Sequence, residues 1–457
     1  MARHLTPLAL LAIGPLVLSL AGCSGPAGDV SEDADLPSAT GSEYHVAPTG
    51  SDADPGTSAR PWKTLQHAAD TAGAGDVVYV HSGRYPEDVV LRRSGTSGSP
   101  VVLRRVRGDR PSVRSFELAQ GTSHVVLFGF QVAGYSNWGV TLIGDNTDVR
   151  LARLNVSGGE AGIHFTVGYS GDPPQYGPVS DVLVEDCTVS DVRYTGIDAT
   201  PGPLNGAVFR QVRVYGCGLV GEDSFGADGI GIEKGEQITV EDCDIHDNGG
   251  DGIDLNSRDR SGWARGIVVR RNVVARNHLQ GIKLWAGGRM QQNAVWGQGI
   301  CPIMVGAYDC AVQMLGNTIA YNMWSGDYGA RDYAATIGYP GPGSRAARVR
   351  LTMRNNLWAF NTGPAVGSPT GLYLGPRLQL MDEGRNVFFS RSDGEIQADF
   401  LGGRWFTRTQ IRNGAWASAT GQGQDDLCVN PQFVSGWPNV DLHLNPGSPA
   451  AGRGAYP

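Results

Sequence analysis

Short apolar strands recur along most of the chain, and each is followed by a polar turn and a Gly-rich segment. One inward apolar position can be aligned from repeat to repeat, at Val132, Val156, Val189, Val214, Ile245, Val274, Val295, Ile319, Trp358 and Phe388. Successive members are 24, 33, 25, 31, 29, 21, 24, 39 and 30 residues apart. Repeats in the twenties with variable insertions are typical of solenoid coils whose insertions form loops. The pattern predicts an all-β chain wound as a right-handed parallel β-helix, since the blades of a β-propeller need about 40–45 residues each.

A second recurring position lies two residues before the inward one. It is occupied by Cys187, Cys243, Asn272, Asn293, Asn317, Asn356 and Asn386. We expect the stacked asparagines to hydrogen-bond to one another along the helix axis, because buried amides need partners. The two cysteines at this position are expected to be buried thiols.

Both ends of the repeat region have the pattern of closures. Residues 44–48 predict a strand, a short amphipathic capping helix is predicted to begin near Pro61, and 76–80 and 101–103 predict two further strands. This order resembles the N-terminal cap of secreted β-helix proteins, and residues 428–450 resemble their C-terminal closure. We therefore assign residues 44–457 to one β-helix domain.

The N-terminal residues 1–23 predict a lipoprotein signal peptide. A basic start precedes the apolar run 5–20, and Leu20-Ala21-Gly22-Cys23 resembles the bacterial lipobox, in which the cysteine is lipidated. Residues 24–43 are rich in Ser, Gly, Ala, Asp and Pro and predict a flexible linker. We expect a secreted cell-surface protein whose contact with the bacterial membrane is the lipid on Cys23. An ordinary signal peptide with a coincidental cysteine is the alternative.

The charge of the chain limits its partners. Among 457 residues, 18% are charged, 66 are Gly, and the formal net charge is −8. No basic tract stands out, so we expect no nucleic-acid partner. We also expect the protein to be a monomer. An acidic polysaccharide would need local positive charge or a metal ion to bind, because the overall field of the protein repels it.

A possible active site appears nine residues after the inward position. Counting nine residues forward from Val189, Ile245, Val274 and Val295 gives Asp198, Asp254, Lys283 and Met304. The segments Gly252-Ile253-Asp254 and Gly281-Ile282-Lys283 put Lys283 one coil above Asp254. Adjacent coils are about 4.8 Å apart, so the two side chains are predicted to be neighbours. His164 has no partner at this spacing, and we interpret it as a turn or surface residue.

Two further aspartates join this cluster. Because Asp228-Gly229-Ile230-Gly231 matches Asp251-Gly252-Ile253-Asp254, Asp228 is predicted beneath Asp251 and Gly231 beneath Asp254. A bend at Gly252 would bring Asp251 and Asp254 together. Three neighbouring carboxylates need a positive charge among them, and Ca²⁺ takes six to eight oxygen ligands. We therefore predict Asp228, Asp251 and Asp254 as ligands of Ca²⁺, with a solvated acidic rim as the alternative.

Lys283 is a candidate base. The chain has three lysines, Lys63, Lys234 and Lys283, against 34 arginines. A lysine beside aspartates is commonly an ion-pair partner. Beside a divalent cation its pKa is expected to fall, which makes the neutral amine available to remove a proton.

These segments resemble the core of the family-nine polysaccharide lyases, which are calcium-dependent pectate lyases on a parallel β-helix. The likeness covers roughly 227–288 and lies in Ala227-Asp228-Gly229-Ile230, Asn248-Gly249-Gly250-Asp251-Gly252-Ile253-Asp254-Leu255 and Gln280-Gly281-Ile282-Lys283-Leu284. The resemblance implies that the aspartates bind calcium and that Lys283 abstracts the proton. The chain departs from the family at Gly250, where a second aspartate is usual, and at Ile230 and Ile253, where an aromatic residue is usual.

The resemblance implies β-elimination on a uronic-acid polymer. Calcium would bind the uronate carboxylate, Lys283 would remove the C5 proton, and the C4 oxygen would leave. Four nearby side chains are predicted to bind the substrate, namely Arg258, Arg260, Arg289 and Trp285. Two alternatives remain open. One is a metal-independent inverting glycoside hydrolase that uses Asp228 with Asp251 or Asp254. The other is a non-catalytic glycan-binding or structural surface protein.

Overall fold

The computed structural model describes residues 36–168, 175–218, 227–255, 266–306, 308–322, 335–338, 347–361, 371–390, 394–436 and 439–456. Residues Ser38–Pro457 group into one compact unit. The predicted signal peptide, with Cys23, and residues 24–35 of the predicted linker lie outside the described residues. Near the end of that linker, the backbone N–H groups of Thr40 and Gly41 donate to the carbonyl of Gly75 at 3.1 and 2.9 Å. In the part of the chain that is described, no helix is both long enough and apolar enough to cross a membrane.

The body is a parallel β-helix with three strand faces. The strands of the first face are Glu43–Val46, Val77–Val80, Val101–Arg105, Val125–Phe128, Thr147–Ala152, Val179–Glu185, Leu204–Asn205, Val208–Arg210, Gly235–Glu236, Thr239–Glu241, Val268–Arg270, Gly288–Gln291, Cys310–Leu315, Val349–Arg354 and Leu378–Gly384. The strands of the second face are Gln131–Ala133, Asn155–Ser157, Thr188–Ser190, Arg213–Tyr215, Asp244–His246, Val273–Ala275, Ala294–Trp296, Thr318–Ala320, Leu357–Ala359 and Val387–Phe389.

The third face carries the candidate site. Its strands are Trp138–Ile143, Ala161–Thr166, Ile197–Ala199, Ile230–Ile232, Ile253–Leu255, Gln280–Leu284, Cys301–Val305, Ala335–Ile337, Leu372–Leu374, Gly394–Ala398 and the antiparallel Arg404–Thr407. Two long strands, Gly83–Leu91 and Pro111–Leu118, lead into the second and third faces.

The predicted inward positions are confirmed. From Val132 to Phe388, each residue of the aligned series pairs in parallel register with the next. Every member is buried in the core. The inserted residues therefore fall between strands, as the spacing predicts.

The predicted asparagine ladder is also confirmed. Asn293 donates from its backbone N–H and its Nδ2 to Oδ1 of Asn317 at 3.0 and 2.9 Å, and Nδ2 also donates to a backbone carbonyl at 2.8 Å. The same contacts connect Asn272 to Asn293, Asn317 to Asn356 and Asn356 to Asn386. Cys187 and Cys243 lie at the same position in earlier coils and are buried free thiols.

A second ladder, which the sequence analysis missed, begins three residues after the inward position. Its members are Asn248, Asn277, Gln298, Asn322 and Asn361, each hydrogen-bonded to the next. In both ladders the preceding residue has a left-handed backbone, as at Arg271 (φ 54°) and Arg276 (φ 52°). A left-handed non-Gly residue costs roughly 1–2 kcal/mol, and the hydrogen bonds of the following amide offset this cost.

Carboxylates end the first ladder. Asn386 donates its N–H to Asp426 Oδ1 at 2.8 Å and its Nδ2 to Glu383 Oε1 at 2.8 Å. The helices Arg408–Arg412 and Ala415–Thr420 and the antiparallel strands Phe433–Ser435 and Asp441–Leu444 follow in this C-terminal region. A short 3₁₀ helix covers Asp399–Leu401.

The N-terminal capping helix is present but begins later than predicted. It spans Leu65–Thr71, with the Thr64 side chain accepting from the backbone N–H of His67. Near the predicted start at Pro61 the chain is not helical, because Trp62 forms a parallel β-bridge with Val46. Asp52 Oδ1 accepts the backbone N–H of Thr64 at 2.9 Å, which fixes the residue that caps the first turn of the helix.

We expect Asn317→Ala to lower the free energy of unfolding by roughly 3 kcal/mol or more, because the buried backbone N–H of Asn293 loses its acceptor and three further hydrogen bonds are lost, namely those to the side chains of Asn293 and Asn356 and to the carbonyl of Met290. Chemical denaturation measures the effect. Asn155→Ala, at an exposed strand position, is the matched control and should change little. Equal losses in the two variants would contradict the role assigned to the ladder.

Candidate functional site

Two rows of side chains run along the third face, on either side of the inward Ile or Val of each strand. The first row lies two residues before that inward residue and consists of Trp138, Ala161, Thr195, Asp228, Asp251 and Gln280. The second row lies one residue after it and consists of Thr141, His164, Asp198, Gly231, Asp254, Lys283 and Met304. The predicted stacking of Asp228 under Asp251, and of Gly231, Asp254 and Lys283 in consecutive coils, is confirmed.

A glycine separates the two rows in each coil. A Cβ added to Gly252 would lie 2.7 Å from the carbonyl oxygen of Gly281 and 2.5 Å from Val274 Cγ1. The backbones of neighbouring coils therefore meet too closely here for any larger residue. The backbone bends at Gly252, as the sequence predicted, and Asp251 and Asp254 on either side of the bend both contact Lys283.

Lys283 bridges the two rows. Its Nζ donates to Asp251 Oδ2 at 3.0 Å and to Asp254 Oδ2 at 2.8 Å. Both carboxylates are largely buried, and 15% of the lysine side chain is exposed. The amine therefore lies among the acidic side chains, and a small part of the lysine side chain is exposed on the outer surface of the face.

The aspartates of the first row are fixed by backbone donors from the next coil. Asp228 Oδ1 accepts the N–H of Asp251 at 2.7 Å, and Asp251 Oδ1 accepts the N–H of Gln280 at 2.7 Å. Gly250 makes the first contact possible, because a Cβ there would lie 2.5 Å from Asp228 Oδ1. Gly250, which departs from the pattern of the family that this segment resembles, is thus the residue that lets Asp228 approach the backbone.

Burial dominates the acidity of the cluster. Burial, followed by repulsion from Asp251 and Asp254, raises the pKa of Asp228 well above its usual value. Burial also raises the pKa of Asp251, and that of Asp254 to about 7, although Lys283 opposes both shifts. Three buried carboxyl groups with one ammonium carry more negative charge than their surroundings offset.

The acidity of Lys283 is controlled by its two acidic neighbours. Burial alone would lower the pKa of Lys283, but Asp251 and Asp254 raise it above its usual value. The contacts within the cluster therefore stabilise the ammonium form, and the fall in the pKa that is expected beside a divalent cation stays a prediction. The ion-pair interpretation of Lys283 is the one that these contacts support.

The donor set suits a hard divalent cation in charge and in ligand type, since it is made of carboxylate oxygens in excess of positive charge. Lys283 already contacts Oδ2 of both Asp251 and Asp254. Within the described ranges, no group of three or more His, Cys, Asp or Glu side chains is arranged to hold a metal ion. Calcium would thus compete with the ammonium for the same oxygens.

The predicted substrate-binding residues fall in different places. Trp285 is beside the cluster, with its ring centroid 5.3 Å from Lys283 Nζ. Arg289 is not brought to it, because this exposed residue lies on the first face and donates to Gln313 at 2.9 Å. Arg258 and Arg260 lie outside the described residues.

His164 is also a member of the second row, although the nine-residue spacing did not predict it. His164 is buried in the strand Ala161–Thr166, and its Nδ1 is 2.7 Å from Asp198 Oδ2. The offset from Val156 to His164 is eight residues rather than nine. Counting nine therefore passes over it, whereas an alignment on the preceding glycine would have found it.

Comparison with protein families supports the fold. A family model described as a right-handed β-helix region matches residues 138–322, and one described as a Pel9A-like right-handed β-helix region matches residues 44–202. The chain is thus a right-handed parallel β-helix of pectate-lyase-like character.

Individual relatives agree with this assignment. An uncharacterized protein of Bacillus subtilis, YwoF, is 26% identical over 307 residues, which cover 54% of this chain and 64% of that protein. Pectate lyase PEL9 of Emericella nidulans is 33% identical over 85 residues, which cover 18% of this chain and 21% of the lyase. The chain thus spans less than two thirds of either relative. The structure of XylC with xylose is similar in fold, with a TM-score of 0.51, 13% identity, and coverage of 86% of this chain and 88% of that one.

We expect Asp228→Asn to stabilise the protein increasingly as the pH rises from 5 to 8. A native pKa above the unfolded value means that the parent loses stability as the pH rises toward that native pKa, by about 1.4 kcal/mol for each pKa unit. The amide removes this charge and retains an acceptor for the N–H of Asp251.

Thermal unfolding in a chelating buffer measures the effect. The control is Asp70→Asn, an exposed carboxylate on the capping helix. A change in Tm for Asp228→Asn that is the same at every pH would show that the carboxyl is not held neutral by its surroundings.

Proposed function

We propose that the chain is a polysaccharide lyase that cleaves a uronic-acid-containing, pectate-like polymer by β-elimination. The observation that supports this most directly is the amine of Lys283, placed between Asp251 and Asp254 on the third face of a pectate-lyase-like β-helix. A lyase needs a base that can reach a carbon-bound proton next to a carboxylate, and Lys283 is the amine in this cluster.

In the proposed reaction, Lys283 Nζ takes the C5 proton of a uronate. The electrons of the C5–H bond form the C4–C5 double bond, and the C4–O bond breaks. The glycosidic oxygen leaves with the electron pair of the C4–O bond and gains a proton from water. The products are a new chain end and an unsaturated uronide.

Lys283 must be neutral to accept that proton. Asp251 and Asp254 hold it as an ammonium, so the amine is released only when their negative charge is offset. We propose that Asp228, Asp251 and Asp254 hold a calcium ion for this purpose. When bound, calcium would supply positive charge to the aspartates and to the carboxylate of the substrate. Trp285, beside Lys283, would pack against a sugar ring.

We expect Lys283→Ala to reduce turnover of the preferred polymer by on the order of 100-fold or more, since it removes the base. The assay follows the ultraviolet absorbance of the unsaturated product on a panel of uronic-acid polymers, with added calcium and with chelator. Lys63→Ala, an exposed lysine before the capping helix, is the matched control and should retain activity. Activity that survives both the chelator and Lys283→Ala would eliminate the proposed mechanism.

A metal-independent glycoside hydrolase is a second candidate. It is favoured by Asp254, whose pKa of about 7 suits a general acid near neutral pH, and by the ammonium form of Lys283. The same assay separates the two reactions. Hydrolysis would release new reducing ends without the absorbance of an unsaturated product, and chelator would not reduce it.

We also propose that the chain is exported and held at the membrane by a lipid on Cys23. Cys23→Ser should then move the protein from the membrane fraction to the soluble fraction of the producing cells. Immunoblots of both fractions measure this. An unchanged distribution would refute anchoring through Cys23 and leave the β-helix assignment intact.

A further inference from the structure

The third face contains a second group of polar and aromatic side chains, next to the lysine–aspartate cluster. Asp198 and His164 are neighbours in the second row, with Asp198 Oδ2 2.7 Å from His164 Nδ1. Asp198 lies three coils before Lys283 in this row, roughly 14 Å along the axis. Its side chain is 18% exposed, whereas that of His164 is 6% exposed. The imidazole therefore orients the carboxylate, and the carboxylate is the accessible member of the pair.

Trp138 is the first member of the first row in chain order. It pairs with Ala161 of the next coil, whose small side chain leaves room for the indole. The indole stacks on the imidazole of His164, with ring centroids 4.6 Å apart and an angle of 10° between the planes. The tryptophan is partly exposed. An aromatic surface next to a carboxylate combines apolar contact with a hydrogen-bond acceptor, which is the combination that binds a sugar ring.

Gly231 separates this group from the cluster. It lies between Asp198 and Asp254 and presents no side chain, and a Cβ there would be 3.2 Å from Asp228 Oδ2. A sugar bound beside Trp138 would face the exposed part of the Asp198 carboxylate. Carboxylates accept hydrogen bonds from hydroxyl groups and repel a uronate.

We propose that Trp138, His164 and Asp198 form a binding subsite for a neutral sugar ring, which begins roughly 14 Å along the axis from Lys283. Asp198 accepts hydrogen bonds from hydroxyl groups of that ring, and Trp138 packs against its apolar side. His164 is a positioning residue for both. The inference rests on the proposed function and refines its substrate to a polymer that contains neutral sugars as well as uronates.

Binding to the inactive Lys283→Ala protein tests the subsite. The probes are polygalacturonate, in which every residue is a uronate, and an unbranched polymer in which galacturonate alternates with rhamnose. Asp198→Asn and Trp138→Ala, each added to Lys283→Ala, should weaken binding of the alternating polymer about tenfold, equivalent to about 1.4 kcal/mol. Binding of polygalacturonate should be weaker at the outset and change less than about twofold, a free-energy difference under roughly 0.5 kcal/mol.

Asp148→Asn is the matched control, because Asp148 pairs with His124 at the same distance of 2.7 Å but lies on the first face. Trp138→Phe keeps an aromatic surface and should retain most of the affinity. Each variant is checked for an unchanged melting temperature, and the comparison of Asp198→Asn with Asp148→Asn decides the test if Trp138→Ala unfolds.

Three results would overturn the subsite. They are equal losses in Asp198→Asn and Asp148→Asn, an unchanged affinity in Asp198→Asn, and no binding of either polymer. Failure of the proposed function has a different signature, namely intact binding by Lys283→Ala together with no unsaturated product from the parent protein.

Discussion

The structure depends on the fixed register between neighbouring coils, and buried amides maintain that register. A ladder asparagine accepts the backbone N–H of the coil before it and, at most steps, the side-chain N–H as well, as Asn317 does for Asn293. A slip by one residue would leave these groups without partners inside the core and would turn every outward side chain inward. Because two ladders flank the second face, the position of each turn is determined on both sides of that face. The rows on the third face are aligned as a result.

The same register concentrates negative charge where the fold could have avoided it. Asp228, Asp251 and Asp254 are brought within one coil spacing of one another, and a single ammonium lies among them. Burial raises the pKa of each carboxyl group, so the three carboxyl groups oppose folding at neutral pH, whereas the raised pKa of Lys283 favours it. Groups with such perturbed acidity are typical of sites selected for chemistry rather than for stability.

Repetition is what made much of this molecule predictable. The inward series, the asparagine ladder and the order of Gly231, Asp254 and Lys283 follow from counting residues, because parallel coils turn sequence periodicity into spatial contact. Features that depend on local geometry were less accessible. The second ladder mixes glutamine with asparagine, and the shorter offset to His164 breaks the count by one residue.

Two other features of the site have electrostatic or topological causes that spacing does not reveal. The pKa of Lys283 depends on which oxygens its amine contacts, and spacing alone does not give those contacts. Arg289 follows Lys283 closely in the sequence, yet a turn places it on the first face, where it contacts Gln313. Proximity along the chain is therefore a poor guide to proximity in a coil whose faces point in different directions.

The carboxylates that receive the last ladder asparagine have a wider consequence. A stack of identical coils is chemically a polymer, and nothing within its repeat unit specifies how many units it should contain. Glu383 and Asp426 act as its end group, because they accept from Asn386 without offering a matching amide to another coil. A further coil added after this junction would therefore find no amide through which to continue the first ladder.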